Sequence, residues 1–386
     1  MIPYGKQDIS VGDLNAVIEV LKSDFLTQGP KVPEFEKSLA DYCNVNHVVA
    51  VNSATSALHI ACLALGLQPG DTVWTTPNTF VASANCALYC GADIDFVDIS
   101  AHTYNLCADK LEQKLIKAKA DGKLPKIVIP VHLTGQCCDM KHIHALSIEY
   151  GFKLIEDASH AIGAKYLGEP VGGCQYCDIT IFSFHPVKII TTAEGGVATT
   201  QSDELATKMN LLRSHGITRD EELMDNNSHG GWYYEQVDLG FNYRMTEMQA
   251  ALGVSQMRRL DKFVAKRHRI QQRYHELLKD LPLTIPYQHP DSYSALHLYP
   301  IRLDLANISK THQQVFSELR GKGIGVNVHY IPVHTQPYYQ KLGFKQGDFP
   351  EAEAYYAEAI SIPVFFGMTF EEQDEVVAIL KEILVQ

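Results

Sequence analysis

Val48-Val-Ala-Val-Asn-Ser-Ala-Thr-Ser-Ala-Leu-His-Ile-Ala-Cys-Leu-Ala-Leu65 is the stretch on which the fold turns. Val48–Val51 reads as a buried strand. It ends at Asn52, and an Ala/Leu-rich helix is expected from about Thr55 to Leu65. The same alternation continues down the chain. Thr72–Thr76, Ile94–Asp98, Ile127–His132, Lys153–Glu156, Ile179–Phe184 and Gly196–Thr200 have strand character, with helical runs at Ala82–Tyr89, Leu111–Lys119 and Met140–Tyr150. Strands alternating with helices imply a mostly parallel sheet flanked by helices, an α/β fold. Ligands in such sheets gather at the carboxyl ends of the strands.

The pattern changes near residue 245. Met245–Leu260 and Ala265–Leu278 read as long amphipathic helices, and three prolines in Leu281–Pro290 mark a junction. A strand (Leu296–Leu303), a helix (His312–Lys322), a strand (Gly325–Val333) and a terminal helix (Phe370–Leu384) follow. The expected division is a large α/β domain over residues 1–260 and a smaller C-terminal α+β domain over residues 261–386.

Composition excludes several functions. The 386 residues carry a formal net charge of −12 with no offsetting Lys/Arg cluster, which argues against a nucleic-acid surface. The polar opening Met1–Ser10 does not read as a signal peptide, and no apolar run approaches the ~18–20 residues a membrane span needs. A cytoplasmic location is expected. Nine cysteines cannot all pair. Cys174 and Cys177 have metal-ligand spacing, but Cys137–Cys138 does not complete it, so no metal site is expected.

Three segments carry chemistry. In Asn52-Ser-Ala-Thr-Ser-Ala-Leu-His59, small hydroxyl residues precede a helix; the N–H groups there suit a phosphate, although a plain N-cap explains them equally. In Glu156-Asp-Ala-Ser-His160, Asp157 ends a strand, where a carboxylate faces a ligand or caps a loop. In Phe182-Ser-Phe-His-Pro-Val-Lys-Ile-Ile-Thr-Thr-Ala-Glu-Gly-Gly196, Lys188 lies between apolar runs, ahead of a glycine pair. A desolvated lysine there becomes an amine nucleophile; a surface lysine is the alternative.

Occurring together and in order, these segments resemble the DegT/DnrJ/EryC1/StrS sugar aminotransferases, which are fold-type I pyridoxal-phosphate enzymes. The resemblance runs over essentially the whole chain. It includes Leu26-Thr-Gln-Gly29 with Phe35-Glu36, and Gly240-Phe-Asn-Tyr-Arg244 with Glu247 and Gln249-Ala-Ala251, the family's dimer-contact helix. It implies that pyridoxal 5'-phosphate is carried covalently on Lys188. Asp157 would pair with the ring nitrogen, and Ala54, Thr55 and Ser183 would hold the phosphate. Phe80 would stack on the ring, and His160 would meet the phenolic oxygen, where many members have glutamine. Asn242 would reach the phosphate of the other subunit of a homodimer. Arg213, His215, Arg244 and His329 are candidates for substrate carboxylate or diphosphate.

Within the family, Gly216-Ile-Thr-Arg219, Gly231-Trp-Tyr-Tyr-Glu235, His297-Leu-Tyr-Pro300 and Val328-His-Tyr330 resemble the branch serving pseudaminic acid biosynthesis. That resemblance implies a UDP-linked keto-sugar as acceptor, aminated at C4, and L-glutamate as donor. The alternatives are another nucleotide 4-keto- or 3-keto-sugar, or a non-catalytic regulatory member of the fold.

Overall fold

The computed structural model describes residues 1–385. Its large sheet has seven strands: β1 (His47–Val51), β2 (Thr72–Thr75), β3 (Asp93–Phe96), β4 (Ile127–Ile129), β5 (Lys153–Asp157), β6 (Ile179–Ser183) and β7 (Gly196–Thr200). Their spatial order is β1-β7-β6-β5-β4-β2-β3. From β6 across to β3 every pairing is parallel. Strand β7 alone is reversed, antiparallel to both β6 and β1. The reason lies in the connection: residues 184–195 contain no helix, and a parallel pair needs a crossover, usually helical.

Alternate side chains of the strands enter different cores. Trp74, Val128, Leu154, Phe182 and Val197 pack on one face, with Phe35, Leu111, Ile143 and Phe184. Val73, Ile127, Ile155, Ile181 and Ala198 pack on the other, against Leu58, Ala61 and Cys86 of the helices Ala54–Ala64 and Ala82–Tyr89. This period-2 division over strands buried on both faces is what a doubly covered sheet requires.

The helix expected at Met245–Leu260 is shorter, Glu247–Met257, with a capping box between Thr246 and Gln249. One face of it packs within the chain. Gly253 meets Phe35 so closely that an added Cβ would lie 2.6 Å from that ring. Glu247 caps the helix Lys31–Cys43, accepting from the N–H groups of Lys31 (2.6 Å) and Val32 (3.1 Å). This face of the helix is therefore covered by its own chain.

The C-terminal core gathers Tyr274, Ile301, Leu319, Ile360 and Leu380, and Ile2 from the opposite end of the chain joins it. Its antiparallel sheet consists of Leu283–Thr284, Tyr299–Leu303 and Ala359–Ile362. The strand expected at Gly325–Val333 does not form. Asn327 makes one bridge to Ser361, after which Pro332, with no N–H to give, leads into a 3₁₀ turn at Val333–Thr335. Among the described residues, no helix is long and apolar enough to cross a membrane.

Candidate active site

Asp157 closes β5 and Ser183 closes β6, so both side chains stand at the carboxyl edge of the parallel strands. The helix Ala54–Ala64 starts just beyond β1 at the same edge. Ser183 pairs in register with Gly196, and Gly196 with Val51. A Cβ on Gly196 would lie 2.4 Å from the Ala54 nitrogen, so only glycine lets this strand approach the helix start. Ser53 is the N-cap, accepting from the Ser56 N–H at 3.1 Å. The cap and anion readings of the segment are thus compatible. Ser53 serves one helix donor, and Ala54 and Thr55 contribute first-turn N–H groups, which point out of a helix start toward an anion.

Lys188 lies in the link between β6 and β7. Burial lowers its ammonium pKa to about 8, and the opposing pull of the Asp157 carboxylate offsets part of that loss. Asp157 is buried and oriented from two sides: Ser83 Oγ donates to Oδ2 at 2.6 Å, and the Ser159 N–H donates to Oδ1 at 3.1 Å.

His160 is also buried. Its Nδ1 accepts from the Thr134 N–H at 3.2 Å. In the neutral ring the proton therefore sits on Nε2, which faces Tyr330 Oη at 3.1 Å. Burial, then Lys188 and His329, push the His160 pKa well below the ordinary histidine range. His329, held by Ser361 Oγ 2.8 Å from its Nδ1, is lowered to about 4 by burial and then by Lys188. His297, its ring 4.4 Å from that of His160, is lowered by burial and then by His160 and Lys188. Three neutral imidazoles thus adjoin the one amine. Phe80, 58% exposed, stands at the mouth with its ring 6.1 Å from Tyr330.

The remaining candidates make other contacts. Arg213 Nη1 is engaged with Glu36 (2.5 Å) and with the Ala50 carbonyl (2.9 Å), an internal ion pair beside a cavity that it lines with Arg244. His215 and Arg244 line a cavity of about 510 Å³ with Gln28, Arg219 and Tyr234. Arg244 forms a bridge to Val51, and the exposed Asn242 forms one to Ser214. Sequence reasoning gave no role to Ser83, Thr134 or Tyr330. Val328-His-Tyr330 stood out as a motif, but the backbone N–H of Thr134 and a serine inside a helix leave no sequence signal.

A lysine amine of this kind serves a cofactor gripped by its phosphate on one side and by its ring nitrogen on the other. Together with the sheet, the closely cradled helix start defines a pyridoxal-phosphate enzyme of fold type I. Comparison with known proteins narrows the class: the chain belongs to the DegT/DnrJ/EryC1/StrS aminotransferase family, whose model matches residues 7–381. It is 38% identical to the UDP-4-amino-4,6-dideoxy-N-acetyl-beta-L-altrosamine transaminase of Campylobacter jejuni, over 99% of this chain and 98% of that one. It is 39% identical to the GDP-perosamine synthase of Caulobacter vibrioides, over 96% and 94%. Among solved structures, Helicobacter pylori PseC, an aminotransferase of pseudaminic acid biosynthesis, superposes with a TM-score of 0.91 at 30% identity, covering 100% and 99%. The putative sugar aminotransferase Spr1654 of Streptococcus pneumoniae, solved in PMP and PLP forms, gives TM-scores of 0.90 and 0.88 at 30% and 29% identity; its PMP form is covered 99% each way. The protein is a pyridoxal-phosphate-dependent aminotransferase acting on a nucleotide-linked keto-sugar.

Proposed function

We propose that the enzyme transfers the amino group of L-glutamate to the C4 ketone of UDP-2-acetamido-2,6-dideoxy-β-L-arabino-hexos-4-ulose, and that it acts as a homodimer with shared sites. The observation that carries the reading is the end-to-end similarity to the altrosamine transaminase. In this reading Lys188 Nζ would hold the cofactor, and its free amine would take the proton from the glutamate α-carbon. Its lowered pKa supplies the neutral amine both tasks need. When bound, the cofactor supplies the electron sink that makes this α-proton acidic.

Asp157 keeps the ring nitrogen protonated, and Ser83 and Ser159 fix its carboxylate. Ala54, Thr55 and Ser183 hold the phosphate, Phe80 covers the ring face, and His160 meets the phenolic oxygen. The neutral His329, whose Nε2 faces the Asn327 amide at 3.4 Å, would exchange that contact for the sugar and would not compete for the carboxylate. Arg244 and His215 are the contacts for diphosphate or donor carboxylate. Asn242 reaches the phosphate of the other subunit.

A second reading, a GDP-linked 4-keto-sugar, is supported by the similar identity to the perosamine synthase. Incubation of holoenzyme and glutamate with UDP-, GDP- and dTDP-linked 4-keto-sugars separates the two. The proposal expects a single preferred UDP product carrying an axial or equatorial C4 amine, fixed by mass and NMR. Preference for a GDP-sugar, or amination at C3, would replace it.

A further inference from the structure

Side chains two apart in a strand share a face, so Glu156, Thr180 and Thr199 stand on the same face of the large sheet as Leu154, Phe182 and Val197. They form a polar row in an apolar core. Glu156 and Thr180 are register partners in β5 and β6, and Thr180 and Thr199 in β6 and β7. All three are buried, and Thr180 Oγ1 donates to Glu156 Oε2 at 3.2 Å. The bend ahead of β6 lays two cysteines on this row. Cys174 Sγ lies 3.4 Å from Thr180 Oγ1, and Cys177 Sγ lies 3.3 Å from the same oxygen. The two thiols thus meet at one hydroxyl. Their spacing also suits a metal, but among the described residues no third ligand converges with them.

The hydrogen bonds fix where the protons point. Thr180 directs its one hydrogen to Glu156, so toward the thiols it accepts. Thr199 directs its own to the Gly172 carbonyl at 2.7 Å. Cys174 has a second acceptor in the Thr199 carbonyl at 3.2 Å, which leaves Thr180 to Cys177. Cys177 S–H, Thr180 O–H and Glu156 therefore form a chain of donors ending on a carboxylate. His132 Nδ1 accepts from the Cys138 N–H at 3.2 Å, so in the neutral ring the proton sits on Nε2, 3.4 Å from Glu156 Oε2. A cavity of about 20 Å³ borders Glu156, His132 and Cys174, with Glu169, Tyr166 and Tyr176 on its other walls. Asp178 is turned away to Lys153 at 3.0 Å. The nearby thiols of Cys43, Cys137 and Cys138 are buried, whereas Cys174 and Cys177 keep partial contact with solvent.

We propose that Cys174 and Cys177 are a modification site, a dithiol that exchanges with small external disulfides, with Thr180 passing the thiol proton to Glu156. As Cys177 S–H gives its proton to Thr180 Oγ1, the Thr180 hydrogen moves to Glu156, and Thr180 is left donating to the thiolate. The Cys177 sulfur attacks one sulfur of the external disulfide. A mixed S–S bond forms, the external S–S bond breaks, and one thiolate leaves, taking up the proton from Glu156 by way of water. The Cys174 sulfur then attacks the Cys177 sulfur. The Cys174–Cys177 bond forms as the mixed bond breaks, and the second thiolate leaves with the Cys174 proton. Two protein thiols are oxidised and one external disulfide is reduced to two thiols.

Two measurements on the holoenzyme test this. In the first, the protein is held in glutathione buffers of graded oxidised fraction, quenched in acid, alkylated in denaturant and read by peptide mass spectrometry. A Cys174–Cys177 link should form while the other cysteines still alkylate. No such link, or oxidation spread over the other cysteines, overturns the proposal without any variant. The second is the rate of link formation with oxidised glutathione at pH 6 and pH 8. A thiol that ionises to solvent gains roughly a hundredfold of thiolate over that range. With Glu156 taking the proton, the wild-type rate should rise by less than about tenfold. E156Q and T180V break the chain at different points, and each should restore the hundredfold rise. A hundredfold rise already in the wild type overturns the relay whether or not the variants fold.

Discussion

Ser83, on the helix Ala82–Tyr89, gives its hydroxyl hydrogen to Asp157 Oδ2 at 2.6 Å, at the end of β5. The contact sets the direction of the carboxylate, and it separates two substitutions. Asp157→Asn keeps the shape but cannot hold a pyridine nitrogen protonated. Turnover with glutamate should fall by a factor on the order of 10²–10⁴, the usual cost of losing a proton-holding group, with melting temperature nearly unchanged. Ser83→Ala leaves the charge and removes one charge-assisted hydrogen bond, costing about 1.5–3 kcal/mol of stability and a smaller part of kcat. Paired kcat and melting measurements check this. Asp157→Asn turnover within a few-fold of wild type would remove Asp157 from the role.

Lys188 titrates near 8 because burial penalises its charged form, and Asp157 only partly offsets that. Capture of the cofactor aldehyde needs the neutral amine. In cofactor-free protein, the rate of capture should therefore rise about tenfold per pH unit below 8 and level off above it. His329, lowered to about 4, stays neutral across this range and adds no second step. Stopped-flow absorbance from pH 6 to 9.5 reads the profile. A rise continuing past pH 9 would mean an ordinary solvated lysine. Borohydride should then fix the label on Lys188, and Lys188→Ala should bind cofactor without transaminating.

The sheet was largely legible because its strands are short apolar runs buried on both faces, and such runs survive in any context. Ala82–Tyr89 and Met140–Tyr150 match the structure at both ends. The reversal of β7 was not legible, since direction depends on the length of a connection and not on the strand's residues. Gly325–Val333 has strand composition, but Gly325 is pressed against the chain's own start: a Cβ there would lie 2.8 Å from the Ile2 carbonyl oxygen. That contact joins residues at opposite ends of the sequence and leaves no local trace. Within the site, Asp157, Lys188 and Ser183 could be read from motifs. The neutral histidine cluster could not, because burial and the Thr134 N–H decide its protonation. The Arg213–Glu36 pair was not legible for a related reason: Glu36 is remote in sequence, and the pairing leaves no local trace.

Gly196 measures how tightly the phosphate cradle is built. Gly196→Ala would place a methyl 2.4 Å from the Ala54 nitrogen and 2.5 Å from the Ser53 carbonyl carbon. Those are backbone atoms, so the helix start itself must shift. Overpacking of this kind costs about 1–3 kcal/mol, or about 5- to 150-fold in cofactor affinity if the strain falls on the cradle. Titration followed by visible absorbance should show that loss while the far-ultraviolet circular dichroism is kept. Unchanged affinity would place the phosphate away from the helix start.

Asn242 is exposed on its own chain, in a segment tied to Ser214 and adjoining Arg244 beside the cradle strand β1. The described surface also carries exposed large apolar side chains. Trp232 is 75% exposed and Leu239 77%, and Val11, Leu14, Ile18 and Leu21 line one exposed face of the helix Val11–Leu21. Surface of this kind suits a symmetric partner, which would cover it and carry each Asn242 to the other subunit's phosphate. Two inactive variants should then rescue one another. Lys188→Ala lacks the amine, and Asn242→Asp sets a carboxylate against the phosphate. In a heterodimer of the two, both lesions fall in one site and the other is intact. Random exchange at equal amounts makes about half of the dimers mixed, each with one working site of two, so activity should return to about a quarter of wild type. Subunit exchange is verified separately by mass spectrometry of differently tagged chains. Exchange without recovery would mean that Asn242 acts within its own chain or takes no part.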